Sequence, residues 1–247
     1  MPDATMVLLF VLFGLGSLAF GVYRYLRNAK RIEALAQFCL SKGWEFSHQD
    51  YSLVARWDGE PFFQGRARKA RNVVRGTLTR PQGGWPFVAF DYTYVTDSTD
   101  SQGRRHSKTH RFAICAAELP TWLPGLRVTP ENVLTRIGNV VAGDDIELES
   151  EDFNRRFRVQ SPDRKFACDV LPPRTMQMLL HRPPLAFRIQ GKDLLCWEPG
   201  DTTAVELLPR LATLADFAAG IPDFVWHDYG SADIAPRNSP APGGATQ

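Results

Sequence analysis

A single uncharged run near the N-terminus constrains this chain more than any other feature of its sequence. Residues 5–23 contain no charged side chain and are almost entirely apolar. As an α-helix, this run would extend about 28 Å, which matches the roughly 30 Å thickness of the hydrocarbon core of a bilayer. The run therefore predicts a transmembrane helix, and we expect residues 1–30 to form a membrane anchor with a basic juxtamembrane segment.

The charges that flank the apolar run predict its orientation. Asp3 precedes it, and four basic residues follow it, namely Arg24, Arg27, Lys30 and Arg31. Because basic residues concentrate on the cytoplasmic side of a membrane, we expect a single-pass protein of the cell membrane with its N-terminus outside and its soluble region in the cytoplasm. A cleaved signal peptide is the alternative, since Ser17-Leu18-Ala19 is a weak cleavage site, but signal peptides carry their positive charge before the apolar run.

Small residues in the predicted anchor share one helical face. Gly14, Ser17 and Gly21 are spaced at i, i+3 and i+7. Small side chains allow two membrane helices to approach closely. The face is therefore a candidate for helix packing and for a homo-oligomer, although small residues are common in such helices.

The rest of the chain has the composition of a folded soluble region. Hydrophobic residues make up 44% and charged residues 23% of the sequence, which is ordinary for a globular protein. We expect residues 31–230 to form a soluble α+β region, either as one domain or as two subdomains, 31–120 and 121–230. Residues 231–247 are rich in Ala, Pro and Gly, which predicts a disordered tail.

Alternation of apolar side chains predicts the strands. The clearest run is 86–96, where Val88, Phe90, Tyr92 and Tyr94 share one face. A second run at 109–116 follows a polar stretch, so the two should form an antiparallel hairpin. Shorter strand candidates are 44–46, 53–57, 73–78, 146–148 and 156–160, and residues 185–189 and 194–197 are expected to form another hairpin.

Helical periodicity and capping residues predict five helical segments in the soluble region. The segments are 31–42, 130–137, 161–170, 173–181 and 203–219, and the first could continue the anchor helix after a bend. Residues 120–130 should be irregular because of their Pro and Gly content, with 126–128 in extended conformation as an alternative. Together these predictions give an α+β fold, with one N-terminal transmembrane helix followed by a mixed, largely antiparallel sheet with packed helices.

Motifs that carry catalytic or metal chemistry are missing from the sequence. The four cysteines are far apart, and His106 and His110 are expected to flank a hairpin loop, where a spacing of four does not bring ligands together. Gly191-Lys192 lacks the other residues of a phosphate-binding loop, and the acidic cluster at 144–152 lacks the spacing of a calcium loop. We therefore predict no cofactor and no metal site, and the catalytic residues, if any, are unknown.

Positive charge is concentrated in the membrane-proximal half. Residues 24–111 contain 16 Lys and Arg against 8 Asp and Glu, whereas residues 112–247 contain 13 against 18. Basic side chains near an anionic leaflet gain favourable energy. Besides the juxtamembrane residues above, the candidate contacts to anionic lipid are Arg66, Arg68, Lys69, Arg71, Arg104, Arg105 and Lys108. Solvated loops are the simpler interpretation of these charges, and nucleic acid is not expected because no reading helix or stacking motif accompanies them.

Two segments resemble a known family. Residues 151–159, with Ala167, Leu171-Pro172-Pro173 and 176–180, and then residues 187–197, are similar to bacterial membrane-anchored proteins that share a domain of unknown function. The resemblance covers about residues 149–197 and implies the same architecture and membrane tethering. It implies no reaction and no catalytic residues.

The sequence thus leaves two functional hypotheses. The first is a non-enzymatic interaction or lipid-surface module tethered to the cytoplasmic membrane, with the membrane, an anionic lipid or a protein as partner. The alternative is a membrane-associated enzyme whose carboxylates and histidines only the fold brings together.

Overall fold

The computed structural model describes residues 4–80, 83–131 and 145–230, and it begins with one long helix. Helix α1 covers Ala4–Lys42 without interruption, so the apolar run and the expected amphipathic segment 31–42 are parts of one helix. The segment from Leu8 onward is long and apolar enough to cross a membrane. Residues before Arg31 that the structure describes are exposed, whereas Leu35 and Cys39 are fully buried against the rest of the protein.

Six strands form one antiparallel sheet behind α1, which confirms the predicted α+β class. The strands are β1 (Glu45–Gln49), β2 (Arg66–Arg80), β3 (Gly83–Thr99), β4 (Arg105–Pro130), β5 (Phe157–Gln160) and β6 (Ala186–Pro199). Neighbouring strands follow the order β1-β2-β3-β4, and β4 then pairs with both β5 and β6. The hairpin predicted between the 86–96 and 109–116 runs is the β3–β4 pair, in which Tyr92 lies opposite Phe112.

Strand β4 pairs with β3, β5 and β6, and its pairing with β6 shows that two predictions are wrong. Residues 120–130 were expected to be irregular apart from the alternative of an extended segment at 126–128, but the whole segment continues β4, and it pairs with β6 through Leu126–Ile189 and Arg127–Arg188. The hairpin expected within residues 185–197 is one continuous strand, β6. In both places the Pro and Gly residues that predicted turns lie in β-bulges. The β4–β6 register shifts between Glu118 and Leu126 of β4, and Gly191 on the β6 side has a φ of 64°. Since β4 runs through residue 120, both parts of the region 31–230 contribute to this sheet.

One face of the sheet, the helix face, is covered by α1 and by short helices from the second half of the chain. These helices are α2 (Glu151–Arg156), α3 (Arg164–Val170), α4 (Pro173–Leu180), α5 (Ala204–Gly220) and α6 (Asp223–Asp228). The expected helices 161–170, 173–181 and 203–219 correspond to α3, α4 and α5. The Thr203 hydroxyl accepts the backbone N–H of Glu206 at 3.2 Å and so caps α5. Pro209 lies inside α5 rather than at its start.

The opposite face, the loop face, is covered by the segment between β1 and β2. Residues 53–57 were expected to be a strand, but Ser52–Ala55 form a short 3₁₀ helix. This segment places Leu53, Trp57 and Phe62 over the apolar residues of β3, β4 and β6. The strand expected at 146–148 is reduced to a single bridge between Asp145 and Gln160. The helix expected at 130–137 and the tail 231–247 lie outside the described residues, apart from the first two residues of that helix.

Candidate functional site

The direction of α1 relative to the sheet decides which end of the protein is nearest to the apolar run. Arg31 of α1 contacts Asp91 of β3 at 2.9 Å. Seven residues later, Phe38 packs on Trp44, and Trp44 packs on Phe87 of β3 at a ring distance of 4.7 Å. Helix α1 therefore runs from the level of Asp91 toward the level of Phe87. In the opposite direction, from the level of Phe87 to that of Asp91, α1 leads back to its apolar run and β3 leads to the turn of the β3–β4 hairpin. The apolar run and the hairpin therefore leave the core of the protein on the same side.

This end of the sheet, which we call the basic end, contains most of the predicted lipid contacts. Arg66 on β2 lies opposite Val95 on β3, and Arg105 on β4 lies opposite Thr99. The basic end comprises Arg66, Arg68, Lys69, Arg71, Arg104, Arg105 and Lys108. The structure thus brings together two basic stretches that are separated by more than 30 positions in the sequence.

The cations of the basic end fall into two groups. Arg66 is paired with Asp97 at 2.6 Å and Arg104 with Asp100 at 3.1 Å. Arg66 and a hydrogen bond from the Ser107 hydroxyl lower the pKa of Asp97 to about 2, so this carboxylate stays charged in ordinary buffers. In the part of the chain that the structure describes, five further basic-end side chains make no ion pair: Arg68, Lys69, Arg71, Arg105 and Lys108.

Exposed apolar side chains accompany these cations. Phe63 is half exposed, and the Arg68 guanidinium lies 5.2 Å from the centre of its ring. Tyr51 is 76% exposed, and the adjacent residue Asp50 donates its backbone N–H to Ala70 of β2. Val205, at the start of α5, is 83% exposed. Aromatic and apolar side chains next to unpaired cations are typical of a surface that contacts lipid headgroups.

Arg31 has a different environment from the other candidate lipid contacts. Its guanidinium donates to Asp91 Oδ2 at 2.9 Å and to the Thr202 carbonyl at 2.5 Å, and it is largely buried. Asp91 also accepts the Asn72 side-chain amide at 2.7 Å and the backbone N–H of Thr202 at 2.6 Å. This cluster ties α1 to β2, β3 and the segment before α5, so Arg31 serves the junction between helix and sheet. Arg24, Arg27 and Lys30 are exposed on α1.

The small-residue face of α1 is open in this structure. Gly14 and Gly21 have no neighbouring atom within 4 Å of the position that a Cβ would take, and Ser17 is exposed. Close approach of a second helix therefore meets no obstacle from the described part of this chain. The helix-packing face stays a prediction.

Sequence reasoning missed a second candidate site, an arginine pair on the loop face. Arg127 on β4 and Arg188 on β6 are directly opposite each other in the sheet register. Arg127 donates to a carboxylate oxygen of Glu60 at 3.1 Å, and Arg188 donates to the Glu60 carbonyl at 3.3 Å. Both guanidinium groups lie within 6 Å of the centre of the Trp197 ring. No local sequence pattern signals this pair, because the two residues are brought together by the register of β4 and β6.

Burial shifts the protonation equilibria of this cluster. Burial raises the pKa of Glu60 above its usual 4.5, although Arg127 opposes the shift. Burial and the nearby charge of Arg127 lower the pKa of Arg188 to about 10, so the group is still cationic at neutral pH. The charges of Asp58 and Glu60 oppose the shift of Arg188, so the two cations of the cluster have two acidic neighbours, of which Glu60 is buried and Asp58 is exposed.

The histidines and two of the cysteines considered for other chemistry have partners of other kinds in the described structure. His106 contacts Asp100, and His110 contacts the Thr96 hydroxyl and stacks on Tyr94. Cys115 and Cys196 are buried cross-strand neighbours. Among residues 4–80, 83–131 and 145–230, no group of three or more His, Cys, Asp or Glu side chains is arranged to hold a metal ion.

The fold and the basic end together define an α+β protein whose N-terminal helix is long and apolar enough to cross a membrane. Its structure is similar to the crystal structure of the mycobacterial trehalose monomycolate transport factor A, TtfA, with a TM-score of 0.57 and 14% sequence identity. The match covers 77% of this chain and 93% of TtfA, and at this identity it shows the fold alone. No protein-family model matches the sequence, and no curated protein matches it.

Proposed function

We propose that this protein is a non-enzymatic module that is tethered by α1 to the cell membrane and binds anionic lipid headgroups of the cytoplasmic leaflet with its basic end. In this proposal the N-terminus is outside and residues 31–230 act as one unit inside. The observation that carries it is the common direction of the apolar run and of the β3–β4 hairpin, which is inferred from the Arg31–Asp91 contact together with the packing of Phe38 on Trp44 and of Trp44 on Phe87. Since both leave the core on the same side, a bilayer that holds α1 must face the basic end.

The dimensions of the two elements support this arrangement. The eight residues from Asp91 to Thr99 extend about 26 Å along β3. The eight residues from Arg31 back to Tyr23, where the apolar run ends, extend about 12 Å along α1. Even if β3 were inclined by about 60° to α1, the hairpin tip would reach the level of Tyr23, because half of 26 Å remains along the helix axis.

The charges of the basic end suit anionic lipid. Five of its cations have no ion-pair partner in the described structure, and each basic side chain near an anionic surface contributes about 1 kcal/mol. The likeness to TtfA also supports a module without catalysis, because a protein with this fold carries the name of a transport factor rather than of an enzyme.

Hydrogen exchange of the full-length protein in nanodiscs tests the proposal. We expect residues 97–108 to exchange more slowly in discs that contain anionic lipid than in purely zwitterionic discs, because a docked hairpin opens less often. Added salt should remove the difference, since it screens the headgroup charges. Equal exchange in the two lipids would contradict the proposal.

Charge reversal provides the matched control. The triple variant Lys69→Glu/Arg105→Glu/Lys108→Glu changes only exposed side chains without ion pairs in the described structure, so it should fold normally and lose the lipid-dependent protection. Arg174→Glu changes an exposed arginine at the start of α4, next to the end of α5 that is farthest from Arg31. This control variant should retain the protection.

A further inference from the structure

A cleft at the end of the sheet that is opposite the β3–β4 hairpin has no part in the role proposed above. It lies between the start of β3, the middle of β4 and the end of α5 together with α6, and its volume is about 570 Å³. Two tryptophans and two prolines line it, namely Trp85, Trp226, Pro86 and Pro120. Trp226 is half-buried and both prolines are exposed, so the walls present flat apolar surfaces. Grooves lined by aromatic side chains bind extended proline-rich segments.

The cleft carries negative charge without a positive partner. Glu118 of β4 and Asp223 of α6 both line it, and both residues are exposed. Neither makes an ion pair in the part of the chain that the structure describes, and no lysine or arginine of that part lines the cleft. The cleft therefore favours an extended segment that combines prolines with a basic side chain.

The described part of the chain ends beside this cleft. A Cβ atom on Gly230 would lie 2.8 Å from the side chain of Thr121, so the last described residue is in contact with β4. Thr121 is two positions from Leu119 along β4, which is at most about 7 Å, and Leu119 belongs to the wall of the cleft. Residues 231–247 therefore start at the edge of the cleft.

The segment that follows Gly230 has the composition that suits the cleft. Residues 231–247 contain three prolines, at positions 236, 240 and 242, and one large aliphatic residue, Ile234. Arg237 is the only lysine or arginine among them. An extended proline-rich chain advances about 3.1 Å per residue, so the seven residues from Gly230 to Arg237 can extend about 22 Å. That length is sufficient to bring Arg237 to the carboxylates of the cleft.

We propose that residues 234–242 bind in this cleft of the same chain, with Arg237 against Glu118 and Asp223 and with the prolines on Trp226. The connection through Gly230 is short, which gives the segment a high effective concentration, so that weak contacts are sufficient to keep it bound. The basic end takes no part in this contact. The proposal can therefore fail or succeed independently of the lipid-surface role.

NMR relaxation of backbone amides tests the proposal on the full-length protein in zwitterionic nanodiscs that hold one copy each. We expect order parameters of about 0.8 for the amides of residues 234–241, and values below about 0.6 for residues 243–247, which extend past the cleft. Values below about 0.6 throughout residues 231–247 would contradict the proposal. Order that appears only in discs with two copies would also contradict it, because the segment would then bind a second copy.

A substitution that fills the cleft assigns the contact to it. Ala219 lines the cleft and is exposed near the end of α5, so Ala219→Trp should block the cleft and lower the order parameters of residues 234–241 below about 0.6. Ala212→Trp is the matched control, because Ala212 is exposed on the same helix but does not line the cleft. This variant should keep the segment ordered.

Charge reversal tests the role of the arginine. Arg237→Glu should release the segment as Ala219→Trp does, because it places a third negative charge in the cleft. The charge swap Glu118→Lys/Arg237→Glu should return most of the order, and Glu118 is exposed, so the fold should tolerate the change. Order that survives either Ala219→Trp or Arg237→Glu, or a charge swap that restores none of it, would overturn the proposal.

Discussion

The two faces of the sheet bury similar kinds of aromatic and aliphatic side chains, and each also buries a charged residue, Asp91 on the helix face and Arg188 on the loop face. On the helix face, Asp91 is almost fully buried and each of its two carboxylate oxygens accepts at least one hydrogen bond. On the loop face, Arg188 is equally buried but has donors without acceptors. Since unpaired buried polar groups cost free energy, Asp91 should contribute more to stability than Arg188, although Thr202 and Arg210 on the helix side also have a buried atom without a partner in the described structure.

The largest expected difference between the faces concerns two buried phenylalanines. Phe217 of α5 packs on Phe187 within the helix face, and Phe62 packs on Trp57 and Tyr92 beneath a loop. We expect Phe217→Ala to lower the free energy of unfolding by about 3–5 kcal/mol, and Phe62→Ala by about 2–3 kcal/mol, because a loop can collapse into the space that is left. Urea unfolding of the full-length protein in mild detergent, followed by tryptophan fluorescence, measures both. Equal losses would contradict the distinction between the faces.

The Asp91 cluster should show the next largest effect. Asp91→Ala leaves Arg31, Asn72 and the Thr202 N–H without their partner, and we expect a loss of about 3 kcal/mol in the same unfolding experiment. Asp193→Ala is the control, because Asp193 is more exposed than Asp91, pairs with the exposed Arg56 and accepts the Trp57 indole N–H at 2.7 Å. That substitution should cost about 1–2 kcal/mol. A loss at Asp91 no larger than at Asp193 would show that the cluster does not hold α1 to the sheet.

Replacing each arginine of the loop-face pair sharpens the comparison further. Arg127→Met deprives the buried Glu60 of its ion-pair partner, so we expect a loss of about 2 kcal/mol. Arg188→Met removes a buried charge without a carboxylate partner, so we expect no loss, or a gain of up to about 1 kcal/mol. The same unfolding experiment measures both variants. A large loss for Arg188→Met would mean that Arg188 stabilises the fold.

The smallest expected effect is a dependence of stability on pH that comes from Glu60. Because burial raises the pKa of Glu60 in the folded protein, its protonated form is favoured there. Its contribution to stability is therefore fully present below the unfolded value near 4.5 and is lost as the pH rises through the folded pKa. As the pH increases above 4.5, the free energy of unfolding of the wild type should therefore fall relative to that of Glu60→Gln. A constant difference would contradict the assignment.

Local patterns were sufficient for part of this fold. The uncharged run predicted α1, and alternation in 86–96 and 109–116 predicted the β3–β4 hairpin, because these signals depend on neighbouring residues. The Pro and Gly residues at 120–125 and Gly191 indicated turns, but the structure uses them in bulges that bend two paired strands. That outcome depends on the register between distant segments, which a single sequence does not show.

The candidate sites differ in the same way. The cations of the basic end could be named from the sequence, since clusters of Lys and Arg are visible locally. Their position beside the exit of α1 required the contact between Arg31 and Asp91, which lie 60 residues apart. The Arg127–Arg188 pair had no sequence signal, because each arginine alone resembles an ordinary surface residue.

The central claim, that the basic end faces the bilayer that holds α1, can be tested with two reporter positions. Cys168 is the exposed cysteine among four whose other members are buried, and it belongs to α3. Asp169 of α3 accepts a hydrogen bond from Tyr229, the residue after α6, beyond the end of α5 that is farthest from Arg31. The second position is at the hairpin tip, in the variant Cys168→Ser/Ser101→Cys. Each full-length protein is labelled with one fluorophore and placed in nanodiscs whose anionic lipids include some with a quencher on the headgroup. Strong quenching at position 101 with little quenching at Cys168 is the result that we predict, and equal quenching, or stronger quenching at Cys168, would contradict the account.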